Sequence, residues 1–241
     1  MKTRIIIILG IMAISALACK KSNPEFDGHK YVDMGLSVKW ATCNVGAVSA
    51  TESGDFFAWG ETEPYYVLGQ AASNFPAMKP GKEDGYAWSS YKWSNNDGTT
   101  FNKYVADPAR GTVDGKTVLE PADDPARANW GSHWHTPTFE EWEELRDNCS
   151  WTWTTEGSVT GYRVTSKTTG GSIFIPAVGH AYRTQIYNAA TGPDYADSGF
   201  YWSSTLVENS TQAHGWRITP TSSSNSTPDR FQGCTVRPVA K

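Results

Sequence analysis

The apolar residues of this chain lie in short aromatic and β-branched segments that are separated by Gly, Pro and Asn. These segments are "YVDMGLSVKWATCNV", "DFFAWG", "GYRVTSK", "GSIFIPAVG", "GFYWSSTL", "AHGWRITP" and "CTVRPV". Such a pattern predicts strands. All eleven tryptophans follow His29, and burial of ~150–250 Å² by each ring can supply a core that few aliphatic residues provide. We therefore expect a sheet-rich fold with long loops.

Two short helices are predicted close together. In "DDPARANW", Asp123 or Asp124 can cap a helix whose first position is Pro125. In "TPTFEEWEELRDN", Thr138 and Glu141 form the capping-box pattern ahead of apolar residues at helical spacing. The acidic residues of this second helix favour the helix dipole, and we interpret them as a solvated face rather than as an acid–base pair. They are Glu140, Glu141, Glu143 and Glu144.

Residues 1–18 have the features of a signal peptide. Lys2 and Arg4 precede an apolar run of about 14 residues, which is shorter than the ~20 residues of a membrane-spanning helix. The run ends in small residues before Cys19, an arrangement that resembles a bacterial lipobox. We therefore predict Cys19 as the lipidated N-terminus of the mature protein. The alternative is an ordinary cleaved signal followed by a stray cysteine.

The rest of the chain is predicted to form a tether and one domain. Residues 19–28 are polar and contain Pro and Gly, which is typical of a flexible spacer. Residues 29–241 are enough for a single core of ordinary size. The long connection from Glu61 to about Lys103 contains two tryptophans, which predict that it is packed.

Charge and cysteine content exclude several classes of protein. The net charge of the whole chain is −4, and removal of residues 1–18 takes away two basic residues and no acid, which leaves −6. This charge disfavours a nucleic-acid partner. Cys43, Cys149 and Cys234 lie far apart without a CxxC motif, which argues against a zinc site and a dense disulfide framework. One disulfide is compatible with the oxidising envelope, with the pairing left open.

Several of these segments, in their order along the chain, resemble a known family. They are "YVDMGLSVKWATCNVGA", "GDFFAWGET", "YKW", "NWGSHWHTPTFEEWEEL", "IFIPAVG", "YWSST" and "TVRPV". Together they are similar to the Fibrobacter succinogenes major paralogous domain, which is abundant in lipoproteins of gut Bacteroidetes. The likeness covers nearly everything from Tyr31 to Val239.

The resemblance implies a C-type lectin-like fold of the α+β class, with irregular antiparallel sheets, two short helices and long loops. It also implies a lipoprotein of the cell envelope, anchored in the outer membrane. One branch of this fold is catalytic and oxidises a substrate cysteine at two nearby C-terminal cysteines. This chain has only Cys234 in that region, so we do not expect that activity.

Other catalytic and metal-binding patterns are weak. The chain has no GxSxG and no HExxH motif. His133 and His135 lie on one side of an extended segment, but two ligands do not make a metal site, and we interpret them as hydrogen-bonded surface residues. The calcium motifs of sugar-binding lectins have no good match in this chain, so no cofactor is predicted, and a structural calcium ion stays open.

The segment from Ser203 to Asp229 is rich in Ser, Thr and Asn and is flanked by aromatic residues. Short polar side chains beside flat rings are typical of adaptable binding surfaces and suit the hydroxyls and CH faces of sugars. The alternative is a solvated loop. Ligand contacts in the C-type lectin-like fold cluster on these last strands and loops, and in some of its members a reverse-transcriptase system diversifies this segment. The predicted ligand-binding residues are Tyr201, Trp202, Ser204, Asn209, Thr211, His214, Thr221, Ser223, Asn225, Thr227 and Asp229, of which the two rings stack on the ligand or support the site.

The sequence therefore predicts a non-catalytic, envelope-anchored recognition or adhesion protein that binds a glycan or a surface protein. The membrane is contacted through the lipid alone. Two alternatives stay open: a structural subunit of a cell-surface assembly, and an enzyme of unrecognised type that uses His133 or His135.

Overall fold

The fold is described from a computed structural model, which covers residues 23–72, 75–95, 97–192, 197–208 and 210–241. The predicted signal peptide, Cys19 and Asn209 lie outside the described residues. Within the described part of the chain, no helix has the length and apolar character needed to cross a membrane.

Short antiparallel strands dominate the architecture, and they form five small sheets with two α-helices beside them. This confirms the sheet-rich α+β class. The strands are β1 Glu25–Phe26, β2 His29–Val32, β3 Lys39–Ala41, β4 Tyr66–Ala72, β5 Phe75–Met78, β6 Trp134–His135, β7 Cys149–Glu156, β8 Val159–Ser166, β9 Ser172–Pro176, β10 His180–Tyr182, β11 Gln185–Tyr187, β12 Gly199–Leu206, β13 Ala213–Thr219, β14 Ser222–Ser226 and β15 Val239–Ala240. The sheet orders are β1-β2-β3-β15-β6, β4-β5, β7-β8-β9, β10-β11 and β12-β13-β14.

Both predicted helices are confirmed, with their caps. Helix α1 (Pro125–Trp130) is capped by Asp124, whose side chain accepts hydrogen bonds from the first-turn amides. Helix α2 (Phe139–Asn148) begins with the complete capping box between Thr138 and Glu141. Local chemistry at the first turn therefore sets where each helix starts.

The folded domain begins earlier than the sequence predicts. Residues 23–28 were expected in the tether, but β1 pairs with β2 in register across the turn at Asp27 and Gly28. The Phe26 ring stacks on Tyr31 at 4.7 Å and on His133 at 5.2 Å. These contacts shorten the predicted tether, because Glu25–Phe26 belongs to the five-stranded sheet.

Most predicted strands are present, and three are reduced. In "CTVRPV", Cys234 and Thr235 make isolated bridges and only Val239 belongs to a strand. The segment "YVDMGLSVKWATCNV" holds only the end of β2 and the strand β3, with bends between them. "DFFAWG" contributes a single bridge from Phe57 to Cys234 rather than a strand. The long connection after Glu61 contains the β4–β5 hairpin, which was not predicted, and the packed rings of Trp88 and Trp93.

Strand β12 separates two parts of the core. Because successive side chains of a strand point to opposite faces, Tyr201 and Trp202 pack on different sides. Tyr201 joins the cluster of Trp142 and Trp216, whereas Trp202 joins the cluster that contains Trp134. The three-stranded sheet β12-β13-β14 therefore rests on a core on both faces of its first strand.

The three described cysteines are free thiols. Cys149 and Cys234 are buried and Cys43 is half-buried. Burial raises the pKa of all three thiols. Buried neutral thiols pack as small apolar side chains, so no disulfide links the described residues.

Candidate ligand-binding surface

The Ser-rich segment near the C-terminus is a strand rather than a loop. Residues Ser222–Ser226 form β14, which pairs with β13 from Thr219↔Ser222 to Gly215↔Ser226. Its other side has no strand beside it among the described residues. We define the polar edge as His214 together with residues 221–227. This corrects the solvated-loop alternative, since the backbone here is fixed by a sheet.

Five side chains of the polar edge are exposed to solvent, and all of them are hydroxyls or an amide. None of them carries a charge. They are Thr221, Ser222, Ser224, Asn225 and Thr227. Such side chains both donate and accept hydrogen bonds, so the surface can match a ligand that offers either partner.

The polar edge is held on an aromatic support. The Trp216 indole Nε1 donates to Ser223 Oγ at 2.9 Å, and its ring lies parallel to that of Trp142 with 5.7 Å between centroids. Both rings are fully buried. Ser223 therefore bonds to the buried Trp216 ring, while its neighbours on either side face solvent.

His214 and Asn225 form a second link between the edge and helix α2. His214 Nδ1 and Asn225 Oδ1 are 3.2 Å apart. The imidazole also stacks on the Phe139 ring at 4.4 Å with an interplanar angle of 23°. Asn225 stays exposed despite this contact, and its amide nitrogen has no protein partner among the described residues. A ligand acceptor can therefore reach that nitrogen.

Thr211 and Asp229 lie beside the polar edge and bond to each other. Thr211 Oγ1 donates to Asp229 Oδ1 at 2.9 Å. Behind them the buried Arg230 guanidinium donates to the Thr211 carbonyl at 3.2 Å and lies 3.7 Å from the Phe101 ring centroid. Both predicted contact residues are half-buried, and their hydrogen bond fixes the segment that leads out of β14.

Three predicted ligand contacts are core residues, and we correct those predictions here. Tyr201 and Trp202 are 0% and 1% exposed, and Ser204 is 3% exposed. Their polar atoms are occupied, since Trp202 Nε1 donates to the Phe57 carbonyl at 2.6 Å and Ser204 Oγ donates to the Pro137 carbonyl at 3.4 Å. A buried ring cannot stack on a ligand, so Tyr201 and Trp202 support the sheet from within.

The two histidines tested for metal chemistry have separate partners. His133 Nδ1 lies 2.9 Å from Asp27 Oδ2, and this hydrogen bond lowers the pKa of the Asp27 carboxyl. His135 Nε2 lies 3.1 Å from Glu141. Burial would raise the pKa of Glu141, but the hydrogen bond from His135 helps to lower it instead. In the described part of the chain, no group of three His, Cys, Asp or Glu residues could hold a metal ion.

Glu141 also corrects the interpretation of α2 as having a uniformly solvated acidic face. It is only 7% exposed, because its carboxylate accepts from the Thr138 amide at 2.8 Å as well as facing His135. The carboxylate thus closes the capping box and holds β6 against the helix. This role is structural.

Sequence reasoning missed a cleft that brings three lysines together. We define the lysine cleft as the cavity of about 210 Å³ lined by Glu61, Thr62, Glu63, Pro64, Tyr65, Lys79, Lys82 and Lys92. It depends on the unpredicted β4–β5 hairpin, because Lys79 directly follows β5. No local motif connects lysines this far apart, so the only sequence signal was the concentration of lysines in the segment 79–92.

Comparisons of this chain with protein-family models, with curated proteins and with solved structures found no significant match.

Proposed function

We propose that this chain is a non-catalytic recognition protein of the cell envelope, with a C-type lectin-like fold and a lipid anchor at Cys19. Its polar edge binds a glycan or the surface of another protein. The observation that carries the proposal is a group of five exposed, uncharged polar side chains, three on β14 and two directly beside it, at a sheet edge where no further strand pairs among the described residues.

The rigidity of the polar edge favours binding. Ordering a flexible loop costs conformational entropy when a ligand arrives, whereas this strand is already fixed by β13 and by the hydrogen bond of Ser223 to Trp216. Short side chains such as Ser and Thr lose little further rotamer entropy. A preorganised row of hydroxyls suits ligands that are themselves rich in hydroxyls or amides.

The backbone of β14 adds a second set of donors and acceptors. In an antiparallel pair, the residues alternate between those that bond across the pair and those that turn their N–H and C=O groups away. Half of β14 therefore directs its backbone groups toward its open side. Protein ligands use such edges by adding a strand, and sugar hydroxyls can use the same groups singly.

The test is binding of the purified chain to arrays of glycans and mucins, with and without calcium. The polar-edge variant combines Ser224→Ala, Asn225→Ala and Thr227→Ala. A matched control combines Thr152→Ala and Thr155→Ala, two exposed hydroxyls on β7. We expect the parent and the control to bind and the polar-edge variant to lose binding by about tenfold or more. Equal binding by all three would overturn the proposal.

One observation favours a second function, that of a structural subunit. Edge strands are commonly protected by charged residues or proline, and β14 contains neither. A strand from a neighbouring protein could pair with it. Co-purification of one partner in a fixed ratio, abolished by an Asn225→Pro change that blocks strand addition, would support this function over glycan binding.

A further inference from the structure

The lysine cleft is a charged cavity with no residue in common with the polar edge. Three lysines and two glutamates line it, although acids outnumber bases in the chain as a whole. What the cavity can bind depends on how many of these charges are already neutralised by one another.

Glu61 is neutralised at the base of the cleft. It is 7% exposed, and its carboxylate accepts from Lys82 Nζ at 3.0 Å, from the Lys92 amide at 2.8 Å and from the Tyr65 hydroxyl. Burial and the nearby Glu61 carboxylate raise the pKa of Tyr65, so this phenol stays protonated and donates. Glu61 therefore has its hydrogen-bonding capacity largely filled by the protein.

Lys82 is fixed in place by the same arrangement. Besides Glu61, its ammonium donates to the Ser90 carbonyl at 2.6 Å and lies 3.8 Å from the centroid of the Tyr65 ring. It is a half-buried cation whose position is set before any ligand arrives. Its positive charge is neutralised by Glu61. Lys82 therefore shapes the wall of the cleft and leaves no unpaired charge for a ligand.

Lys92 is the lysine of the cleft that has no carboxylate within hydrogen-bond distance among the described residues. Its side chain is 52% exposed, and the nearest carboxylate oxygen, Asp123 Oδ1, is 3.9 Å away, beyond hydrogen-bond distance. Asp123 instead accepts from Lys103 Nζ and from the Tyr104 hydroxyl. The Lys92 ammonium lies 4.2 Å from the centroid of the Trp93 ring, a contact that leaves its N–H donors available to a ligand.

Lys79 stands at the rim in a pair that a ligand can replace. Its ammonium lies 2.9 Å from Glu63, whose side chain is 79% exposed. Exposed ion pairs of this kind are weak. An incoming anion can therefore take the place of Glu63 at the Lys79 ammonium.

We propose that the lysine cleft binds the oxyanion of an acidic sugar, either a carboxylate or a sulfate ester, with Lys92 and Lys79 as its contacts. A cavity of about 210 Å³ lies below the roughly 300–1,000 Å³ of sites for larger ligands, so it takes a single ring. An ammonium donates three hydrogen bonds to such an oxyanion. This site is additional to the polar edge and does not depend on it.

The test titrates the purified full chain with four probes and follows binding by NMR chemical shifts. The probes are glucuronic acid, N-acetylglucosamine 6-sulfate, neutral N-acetylglucosamine and inorganic sulfate. We expect one or both acidic sugars to bind, with affinity that falls as salt is added, and the neutral sugar to bind at least about tenfold more weakly. Comparison of the two acidic probes identifies which oxyanion the cleft prefers.

Lys92→Ala is the decisive variant, since the amide contact of residue 92 with Glu61 is kept and the Lys92 ammonium makes no hydrogen bond to the residues that the structure describes. We expect a loss of acidic-sugar affinity of about tenfold and an unchanged unfolding temperature. Lys30→Ala, an exposed lysine on β2, removes the same charge elsewhere and should leave affinity unchanged.

Unchanged affinity of Lys92→Ala would overturn the proposal, as would inorganic sulfate binding as tightly as both acidic sugars. The polar-edge variant should bind acidic sugars like the parent. Its failure on the glycan array can then be told apart from a failure of the cleft.

Discussion

Strands β13 and β14 are neighbours in one sheet and have opposite roles. Trp216 and Ile218 of β13 are completely buried, whereas β14 consists only of serine and asparagine and is mostly exposed. The paired residues Trp216 and Asn225 stand side by side in register. β13 therefore contributes to the stability of the fold, whereas we propose that β14 contacts the ligand. Substitutions in each strand test the two roles separately.

The largest effect should come from Trp216→Ala. Removal of this buried ring deletes its stack on Trp142 and opens a cavity, so we expect a loss of about 3–5 kcal/mol in the free energy of unfolding. Arg217→Ala on the exposed face of the same strand, whose guanidinium lies 5.3 Å from the centroid of the Phe200 ring, should cost less than about 1 kcal/mol. Chemical denaturation measures both, and equal losses would contradict the assignment.

The second effect is a loss of stability in acid that arises at His180 of β10. Burial, helped by the positive charge of Arg217, lowers the pKa of His180 to about 4. Because the unfolded chain takes up this proton near pH 6.5, stability should fall as pH drops from about 6.5 to 4, by up to about 3 kcal/mol.

His180→Phe should remove this part of the acid sensitivity while keeping an aromatic ring beside Tyr187 and Phe200. Unfolding free energies of both proteins at several pH values provide the check. Parallel pH profiles would show that His180 is not the source.

Ser223→Ala tests the hydrogen bond that joins β14 to the buried Trp216 of β13. The change leaves the buried Trp216 indole N–H without its acceptor, and we expect a loss of about 1–3 kcal/mol. Thermal unfolding measures it. An unchanged stability would mean that water replaces the serine hydroxyl and that Ser223 belongs with the exposed residues of the polar edge.

The smallest effect on stability should come from Ser224→Ala, one residue further along. Ser224 is exposed, and among the described residues its hydroxyl bonds to that of Ser222, at 3.2 Å. We expect a change within about 0.5 kcal/mol, with weaker ligand binding. Loss of stability as large as for Ser223→Ala would remove the distinction between adjacent residues of β14.

Local chemistry explains which parts of the fold could be predicted. Both helix starts followed from Asp124 and from the Thr138–Glu141 pair, because caps act within one turn. Strand β12 was predicted with its bounds, since aromatic and β-branched residues that follow a glycine are a typical strand signal.

Tertiary pairing explains what could not be predicted. Serine and asparagine have little intrinsic preference for strands, and β14 exists because β13 supplies a fixed partner. The predicted contacts Tyr201 and Trp202 are in the core because both faces of β12 are covered, which the sequence of one strand cannot reveal. The lysine cleft likewise depends on residues that only the fold brings together.

The central claim is that buried residues of β13 stabilise the sheet while the polar edge binds the ligand. The most direct test is the affinity of the polar-edge variant for a glycan that the parent binds on the array. It is measured at a temperature where the variant is as fully folded as the parent. The account predicts a loss of about tenfold or more without a matching change in unfolding temperature. Unchanged affinity, or a loss that follows the unfolding temperature, would contradict it.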